Sequence, residues 1–496
     1  MLKIPMDITY PGHPPGSPLR VEGRDLFLEP MNEPLYSVLP SLKKGYGPSV
    51  RGVHIVHEET LRENHRAFQE AFRGAYHGDF KEAWAAKSFH TRTFFAIAAS
   101  EKAGVEVGSL QELNMALDVG IDGKSIICTG PAKEDTELEA IAEANATAVV
   151  DNLDEAEVLD KIARKLGKRV PVGLRVNPGP LPGATATHPN MLTAGPLSKF
   201  GFPMKGGYAL RAAKRMKEMS GLELSMVHMH VGSQVASLMP YEVAAKRLMA
   251  FTTQLRERFG VHITRVDVGG GFAYPYVPAS VQDELKRAGL KPRIHAACEL
   301  TLQDYAQAIA EVVEEACEGE LPQLVAEPGR CIVAGAVGTL GSIIAVRRLS
   351  QRLNWVFTSI STKEFHQKLL APGLIYQATI ANRTDEAAVF PAAIGGELCF
   401  ASDIMTPPGV AVLLPETKRG DYIHFANTGA YSVYGASFSH GIPMMPILLI
   451  DAQGRSHVIR EPSEADPLKT LDRVPALSGS KRRFLSPVAC RLQRFM

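Results

Sequence analysis

Short apolar segments that alternate with amphipathic stretches form the main pattern of this chain. Eight segments have strand-like composition: residues 83–86, 105–107, 125–128, 147–150, 171–176, 224–230, 263–268 and 323–326. Helical periodicity lies between most of them, for example at residues 109–118, 134–144, 154–166, 206–219 and 241–258. Eight strands alternating with helices over about 250 residues predict an α/β fold, a parallel (β/α)8 barrel of the TIM type. The periodicity alone also fits a doubly wound open sheet, but the chain lacks the GxGxxG opening typical of that fold.

The predicted barrel segment comprises residues 57–334, and the regions on either side of it differ in composition and in apolar pattern. Residues 1–48 are rich in Pro and Gly and predict an extended N-terminal arm, with a partner subunit as the surface that would order it. Residues 335–461 contain strand-like runs between Pro and Gly turns and predict a β-rich domain, which a strand within residues 49–56 joins. Residues 462–496 are polar and basic and predict a disordered or partner-contacting tail.

Composition excludes several classes of function. The net charge is +1, which gives no reason to expect nucleic acid or an anionic membrane as a partner. No apolar run reaches the roughly 18 residues of a membrane span, and the N-terminus has Pro and Gly where a signal peptide needs an apolar core. The six cysteines are scattered without a CxxC pair, so we expect reduced thiols in the cytoplasm.

Three strand ends carry residues that suggest chemistry. Gly269, Gly270 and Gly271 follow an apolar strand, and backbone N–H groups freed of side chains can converge on an anion. A plain tight turn is the alternative interpretation. Lys87 follows the first barrel strand, and residues 327–330 (Glu-Pro-Gly-Arg) follow the last. In a barrel these ends meet on one face, where a phosphate site built from the loops after strands seven and eight is frequent.

Lys87 and two histidines are the candidate reactive groups on this face. Partial desolvation at a strand end is expected to lower the pKa of Lys87 and free its amine for Schiff-base chemistry, unless it is an ordinary rim lysine. Alternation places His228 and His230 on one side of their strand, as core histidines, metal ligands or a ring that stacks on an aromatic cofactor. With no acidic or Cys cluster nearby in sequence, we predict no metal and favour stacking, with Ser233 reaching the cofactor phosphate.

Glu327 is a carboxylate at a strand end inside the barrel mouth, where it needs a partner. A protonated pyridine nitrogen would be such a partner, and Arg330 would then reach the phosphate. An ion pair between Glu327 and Arg330 within the loop is the alternative.

Six motifs occur together in a set order between residues 50 and 450. They are Ala85-Ala86-Lys87, His230-Val231-Gly232-Ser233-Gln234, Asp267-Val268-Gly269-Gly270-Gly271-Phe272, Glu327-Pro328-Gly329-Arg330, the Cys399-x-x-x-Asp403 stretch and Gly429-Ala430-Tyr431. In order and spacing the chain resembles the fold-type III pyridoxal-phosphate decarboxylases, which act on diaminopimelate, ornithine and arginine; alanine racemase is a more distant relative.

The resemblance implies pyridoxal 5'-phosphate as the cofactor and a homodimer with active sites shared across the interface. It implies that Lys87 holds the cofactor, His230 stacks on its ring and Cys399 of the second subunit protonates the carbanion left by CO2. The implied cofactor-binding set is Lys87, Arg175, His230, Ser233, Gly269, Gly270, Gly271, Glu327, Gly329, Arg330 and Tyr431. Glu106 stands where the family usually has Asp.

Two departures from the family bear on the substrate. Phe400 follows the catalytic cysteine, where the family has the Glu or Asp that receives a distal amine. Ala371 stands where diaminopimelate enzymes have an Arg for the distal carboxylate, near Tyr376 in the substrate-binding set that also includes Asp403. Buried distal charges would lack partners in such a site. The resulting hypothesis is α-decarboxylation of another amino acid or amino-acid conjugate, in siderophore or antibiotic biosynthesis.

Three alternatives stay open at this point. The first is a diaminopimelate or basic amino-acid decarboxylase with altered anchors. The second is an amino-acid racemase, although Glu327 at the pyridine nitrogen favours decarboxylation. The third is a catalytically dead regulatory paralogue, although such a protein should have lost Lys87 or the phosphate-binding residues.

Overall fold

The structure is a computed structural model that describes residues 3–6, 17–183, 193–195, 198–277, 281, 283, 298–351, 353–367, 374–406 and 410–463. The elements that precede the barrel are β1 (Lys3–Met6), β2 (Leu19–Glu22), β3 (Asp25–Leu28), α1 (Val38–Tyr46) and β4 (Gly52–His57). Strands β2 and β3 form an antiparallel hairpin.

The expectation of an extended N-terminal arm is wrong for the described part of residues 1–48. Leu35, Leu39 and Leu42 share one side of the segment around α1, and all three are buried. They belong to a small core with residues of the hairpin and with Val53 and Ile55 of β4. The burial of these apolar side chains against the chain's own β4 stabilises the segment without a partner subunit.

The barrel segment contains the following helices and strands. They are α2 (Glu58–Ala75), β5 (Phe80–Ala85), α3 (Arg92–Ser100), β6 (Gly104–Val107), α4 (Leu110–Asp118), β7 (Ile126–Cys128), α5 (Asp135–Ala144), β8 (Thr147–Val150), α6 (Leu153–Lys165), β9 (Val170–Asn177), β10 (Phe202–Pro203), α7 (Tyr208–Lys217), β11 (Leu222–His228), α8 (Met239–Phe259), β12 (Arg265–Asp267), α9 (Leu302–Glu315), β13 (Gln323–Ala326) and α10 (Arg330–Val333).

Eight of these strands close into a parallel barrel. The order is β9-β11-β12-β13-β5-β6-β7-β8, and the pairing of β8 with β9 closes the ring. This confirms the predicted (β/α)8 barrel and excludes the open sheet. Local signals set the helix boundaries: Asn152 and Glu155 form a capping box that starts α6, and Gly260 in the left-handed region ends α8.

The β-rich domain is also confirmed. Its strands are β14 (Val337–Arg348), β15 (Asn354–Thr358), β16 (Ala378–Ile380), β17 (Phe390–Gly395), β18 (Val410–Leu414), β19 (Tyr422–Phe425), β20 (Ile447–Ile450) and β21 (Ser456–Arg460). Strand β4 lies in this sheet between β14 and β20, and β1 pairs with β18 at its edge. The N-terminal segment therefore contributes strands to the C-terminal domain. Of the predicted tail, residues 464–496 lie outside the described residues.

Among the described residues, none of the helices is both long and apolar enough to cross a membrane.

Candidate active site

The candidate site lies where the C-terminal ends of β5, β6, β11, β12 and β13 meet. Lys87 lies two residues past the end of β5, and its Nζ lies 2.5 Å from Glu106 Oε2 on the neighbouring strand β6. Thr129 donates its hydroxyl proton to the other oxygen of Glu106. The Glu106 carboxylate therefore positions the Lys87 ammonium group, and Thr129 in turn positions the carboxylate.

The expected lowering of the Lys87 pKa is wrong. Burial does lower the pKa, but the negative charges of Glu106 and Glu327 outweigh burial, so the pKa of Lys87 is raised. Lys87 without a bound partner is therefore an ammonium ion in an ion pair. Its amine becomes nucleophilic only when a proton leaves, and Glu106 is the carboxylate at hydrogen-bond distance.

The three glycines after β12 are required by close backbone packing. A Cβ at Gly269 would lie 2.4 Å from the Met229 carbonyl oxygen, and one at Gly270 would lie 2.2 Å from the Glu327 carbonyl oxygen. Gly269 and Gly271 also have φ of +68° and +104°, which side-chain-bearing residues rarely adopt. Neither a plain turn nor an anion site alone accounts for this arrangement, because the loop is wedged between the ends of β11 and β13.

Arg330 organises the predicted phosphate-binding residues. Its Nη2 donates to Ser233 Oγ at 2.8 Å, and its Nη1 donates to the Tyr276 hydroxyl at 2.7 Å. The guanidinium carbon lies 5.1 Å from the centre of the Tyr431 ring. Because Arg330 pairs with hydroxyls, the alternative of a Glu327–Arg330 ion pair is wrong.

The β-rich domain contributes Tyr431 to this cluster. The Tyr431 backbone N–H donates to the Ser88 carbonyl at 2.8 Å, next to Lys87. Two residues earlier, a Cβ at Gly429 would lie 1.9 Å from the Val333 carbonyl oxygen. The Gly-Ala-Tyr turn is thus pressed against the barrel. Gly329 is packed in the same way, since a Cβ there would lie 3.1 Å from the Ser88 side chain.

Glu327 pairs with a histidine. Its Oε1 lies 3.2 Å from His228 Nε2, and both side chains are almost fully buried. Burial raises the pKa of Glu327, but His228 and Lys87 outweigh burial and lower it to about 2, so Glu327 is ionised. Asp267 completes a buried group whose nitrogen and oxygen atoms all lie within 4.8 Å of one another.

His230 and Arg175 lie on the same face. Burial, followed by the positive charge of Lys87, lowers the pKa of His230 to about 3, so its imidazole is neutral and suited to stacking on a ring. Arg175 is buried, with its Nε 3.6 Å from Asp151 Oδ2 and its guanidinium 4.5 Å from the Phe200 ring centre. Contacts with Asp151 and Phe200 hold the Arg175 guanidinium in place near the end of β9.

The residues present fit pyridoxal phosphate. Among the described residues, the buried polar atoms of the site that have no hydrogen-bond partner include Arg330 Nε, His230 Nδ1 and Glu327 Oε1. The guanidinium, the Ser233 hydroxyl and the glycine-loop amides match a phosphate; the Glu327 carboxylate matches a pyridinium N–H; and the Lys87 amine matches an aldehyde.

The predicted substrate-side residues lie on the loop after β17. Cys399 and Phe400 are exposed, and the Cys399 N–H lies 3.3 Å from His440 Nδ1. Phe400 stands edge-on to the same imidazole, with ring centroids 6.2 Å apart. Among the contacts of the described residues, none joins Cys399 to the barrel site.

The sequence suggested that Asp403 binds substrate, but the structure does not place its carboxylate for that role. Its Oδ1 accepts hydrogen bonds from the Thr362 N–H and hydroxyl at 2.7 and 2.9 Å, and its Oδ2 accepts one from the Leu398 N–H at 2.8 Å. With both oxygens occupied, the carboxylate fastens the base of the Cys399 loop. The buried ring of Tyr376 packs 6.0 Å from that of Tyr276, on the Arg330 side of the site. Ala371 lies outside the described residues.

Sequence reasoning missed several residues that complete the site. Tyr276 holds Arg330, Thr129 holds Glu106, and Asp267 lies beside Glu327. Asp267 is the first residue of the glycine motif, and its position at the end of a predicted strand is the sequence feature that could have identified it. Tyr276 and Thr129 are single residues in loops, with no local pattern to mark them.

Comparison with known proteins gives a consistent result. The family model described as "Pyridoxal-dependent decarboxylase, pyridoxal binding domain" matches residues 58–334. A diaminopimelate decarboxylase of Actinosynnema pretiosum subsp. auranticum is 31% identical over 418 residues, covering 84% of this chain and 87% of the relative. The diaminopimelate decarboxylase of Methanocaldococcus jannaschii is 26% identical, covering 85% of this chain and 91% of the relative.

Solved structures show the same fold. The M. jannaschii diaminopimelate decarboxylase in complex with L-lysine has a TM-score of 0.79 at 24% identity, covering 92% of this chain and 98% of that one. A lysine/ornithine decarboxylase of Vibrio vulnificus complexed with putrescine has a TM-score of 0.66 at 19% identity, covering 83% and 97%. Together with the family match over the barrel, these findings show that the chain belongs to the pyridoxal-phosphate-dependent decarboxylases, the carboxy-lyases of amino acids.

Proposed function

We propose that this enzyme decarboxylates diaminopimelate or a closely related basic amino acid. The observation that carries the proposal is the match to diaminopimelate decarboxylases along 87% and 91% of their own length, at 31% and 26% identity. The structural neighbours bound to L-lysine and putrescine support the same class of substrate. The relatives give no support for a role in siderophore or antibiotic biosynthesis.

We assign each of the barrel residues a separate role in binding and orienting the cofactor. Pyridoxal phosphate, when bound, supplies the electron sink for the carbanion left by CO2. Lys87 would hold the cofactor aldehyde, and Arg330, Ser233 and the glycine loop would hold the phosphate. Ionised Glu327 would keep a proton at the ring nitrogen, and the neutral imidazole of His230 would be suited to stacking on the ring.

We further propose that Cys399 acts in the site of a partner subunit, in a homodimer. Its exposure and its position on the β-rich domain support this arrangement, because an exposed thiol on a fastened loop can enter a neighbouring barrel. There the thiol would deliver a proton to one face of the carbanion. A cytoplasmic location fits the five cysteines of the described residues, all of which are unpaired.

A second candidate function follows from Phe400. Its ring is 38% exposed beside His440, and it carries no charge that could receive a distal amine. A substrate whose distal end is apolar or conjugated would leave no charge unpaired there. This observation favours a modified amino acid over a free diamino acid.

Product analysis distinguishes the two candidates. The protein reconstituted with pyridoxal phosphate is incubated with meso-diaminopimelate, lysine, ornithine, arginine or N-acylated diamino acids, and products are separated by chromatography. Formation of lysine from diaminopimelate, or of a diamine from a basic amino acid, supports the main proposal. Turnover of acylated substrates only would establish the second candidate, and racemised substrate without CO2 would overturn both.

A further inference from the structure

Asp267 is a fully buried carboxyl group to which the reaction outlined above assigns no role. Strand register explains its position. Asp267 pairs with His228 of β11 on one side and with Val325 of β13 on the other, and Glu327 lies two residues beyond Val325 on the same face. The barrel therefore brings two acidic side chains and a histidine together at the C-terminal ends of β11, β12 and β13.

The partners of Asp267 are unequal. Its Oδ1 accepts a hydrogen bond from the Gly269 N–H at 2.8 Å, whereas its buried Oδ2 has no partner among the described residues. Glu327 Oε1 is also buried, with His228 Nε2 3.2 Å away. Two ionised carboxylates offer only acceptors to each other, so a hydrogen bond between Asp267 and Glu327 requires that one of the two carboxyls carries a proton.

The surroundings decide which of the two carries it. Glu327 faces His228, and the positive charge of Lys87 also lowers its pKa. Asp267 faces Glu327 and, farther off, Glu106, both of which are acidic. Burial and then the charge of Glu327 raise the pKa of Asp267 well above its usual range. The proton therefore belongs on Asp267.

We propose that Asp267 is a positioning residue in its neutral acid form, which donates a hydrogen bond to Glu327 with one oxygen and holds the glycine loop with the other. A single side chain then sets the orientation of the carboxylate that meets the ring nitrogen and the position of the loop that meets the phosphate. The inference goes beyond the proposed function, since it does not depend on which amino acid the enzyme takes.

Three variants test the hydrogen bond through cofactor affinity. Asp267→Ala removes both interactions, and we expect the dissociation constant of pyridoxal phosphate to rise about tenfold or more. Asp267→Asn keeps a donor toward Glu327 and an acceptor for the Gly269 N–H, so it should recover affinity to within about threefold of the native protein. Asp160→Asn is the matched control, because Asp160 is another buried carboxylate that accepts a backbone N–H, from Gly221.

Infrared spectroscopy of the apoprotein measures the protonation state of the Asp267 carboxyl, and it requires neither bound cofactor nor enzymatic activity. At neutral pH the native protein should show a carboxylic-acid C=O band that is absent in Asp267→Asn and present in Asp160→Asn. This comparison decides the matter even if Asp267→Ala fails to fold. The proposal is overturned if the band is missing from the native protein, if Asp267→Asn loses as much affinity as Asp267→Ala, if Asp267→Ala loses none, or if the purified protein holds a stoichiometric divalent cation between the three side chains.

Discussion

The barrel site and the Cys399 loop are built in different ways. In the barrel, the side chains expected at the cofactor are buried and interlocked: Glu106 holds Lys87, and Arg330 holds Ser233 and Tyr276. On the loop, Cys399 and Phe400 are exposed. The Cys399 N–H and the Phe400 ring lie against His440, and the Phe400 carbonyl accepts a hydrogen bond from the Asp403 N–H. Residues that share partners cannot change singly, whereas exposed loop residues can. Of the departures from the family, Phe400 lies on this loop, whereas Glu106 lies in the barrel.

The loop is nevertheless anchored. Asp403 accepts hydrogen bonds from Leu398 within the loop and from Thr362 outside it, and these bonds anchor the base of the exposed tip. The comparison predicts that barrel substitutions change cofactor binding, whereas loop substitutions change turnover and leave cofactor binding intact.

Substitution of Lys87 should have the largest effect. Lys87→Ala removes the amine that we propose holds the cofactor, and we expect CO2 release to fall by at least about 10³-fold. Borohydride reduction followed by mass spectrometry should add the cofactor to the Lys87 peptide of the native protein and to no peptide of the variant. Lys81→Ala is the control, because Lys81 lies at the other end of β5. Cofactor attached to another lysine in Lys87→Ala would contradict the assignment.

Arg330→Gln tests the phosphate cluster. The variant loses the charge and the two donated hydrogen bonds to Ser233 and Tyr276, so affinity for pyridoxal phosphate should fall about 10- to 100-fold. Fluorescence titration of the apoprotein measures the change. Arg348→Gln, which breaks an exposed ion pair with Glu416, should have no such effect. If Arg330→Gln bound the cofactor as well as the native protein, the phosphate would have to lie elsewhere.

Asp403→Ala tests the opposite half of the comparison. Loss of three hydrogen bonds to a buried carboxylate should free the Cys399 loop and reduce kcat about tenfold. Cofactor affinity should stay within about twofold, since no barrel contact is lost. Asp451→Ala, which alters the turn between β20 and β21, should leave kcat unchanged. Equal losses of kcat and of cofactor affinity in Asp403→Ala would show that the two halves are coupled.

The smallest expected effect is on the pH dependence of stability. A group whose pKa is raised on folding stabilises the protein below its unfolded pKa, near 3.8 for Asp267, and this stability is lost as pH rises toward the folded pKa. Relative to Asp267→Asn, the native apoprotein should therefore lose up to about 1.4 kcal/mol per pH unit above pH 4. Urea unfolding at several pH values measures the free energy of unfolding of each protein. The neighbours Glu327, His228, Glu106 and Lys87 are present in both proteins, so the difference between the two curves isolates Asp267. Parallel stability curves would show that Asp267 is ionised.

The barrel could be predicted from sequence because each strand carries its own apolar signal. Residues 147–150 and 323–326, for example, were expected to be strands and are β8 and β13. The N-terminal helix was missed because Pro40 and Gly45 lie within α1 and obscure its apolar stripe. That helix is stabilised by burial against β4, which is a tertiary effect.

The pKa values in the site could not be predicted from sequence, because they depend on charged residues that come together only in the folded chain. Burial alone led to an expected fall in the Lys87 pKa, but Glu106 and Glu327 come from other strands and reverse the sign. Asp267 likewise gains its neighbour from strand register, which no local pattern reveals. Motifs identified the groups that we propose face the cofactor, whereas the partners of these groups could be identified only from the folded chain.

The most direct test of the account is the kcat/KM for CO2 release from meso-diaminopimelate, measured side by side for the native enzyme and Phe400→Glu. The account predicts measurable turnover by the native enzyme and a gain of about tenfold in the variant, since the new carboxylate can pair with a distal amine. Affinity for pyridoxal phosphate should be equal in the two proteins. A native enzyme that binds the cofactor yet releases no CO2 from diaminopimelate or a basic amino acid, or a variant whose cofactor affinity changes along with its turnover, would contradict it.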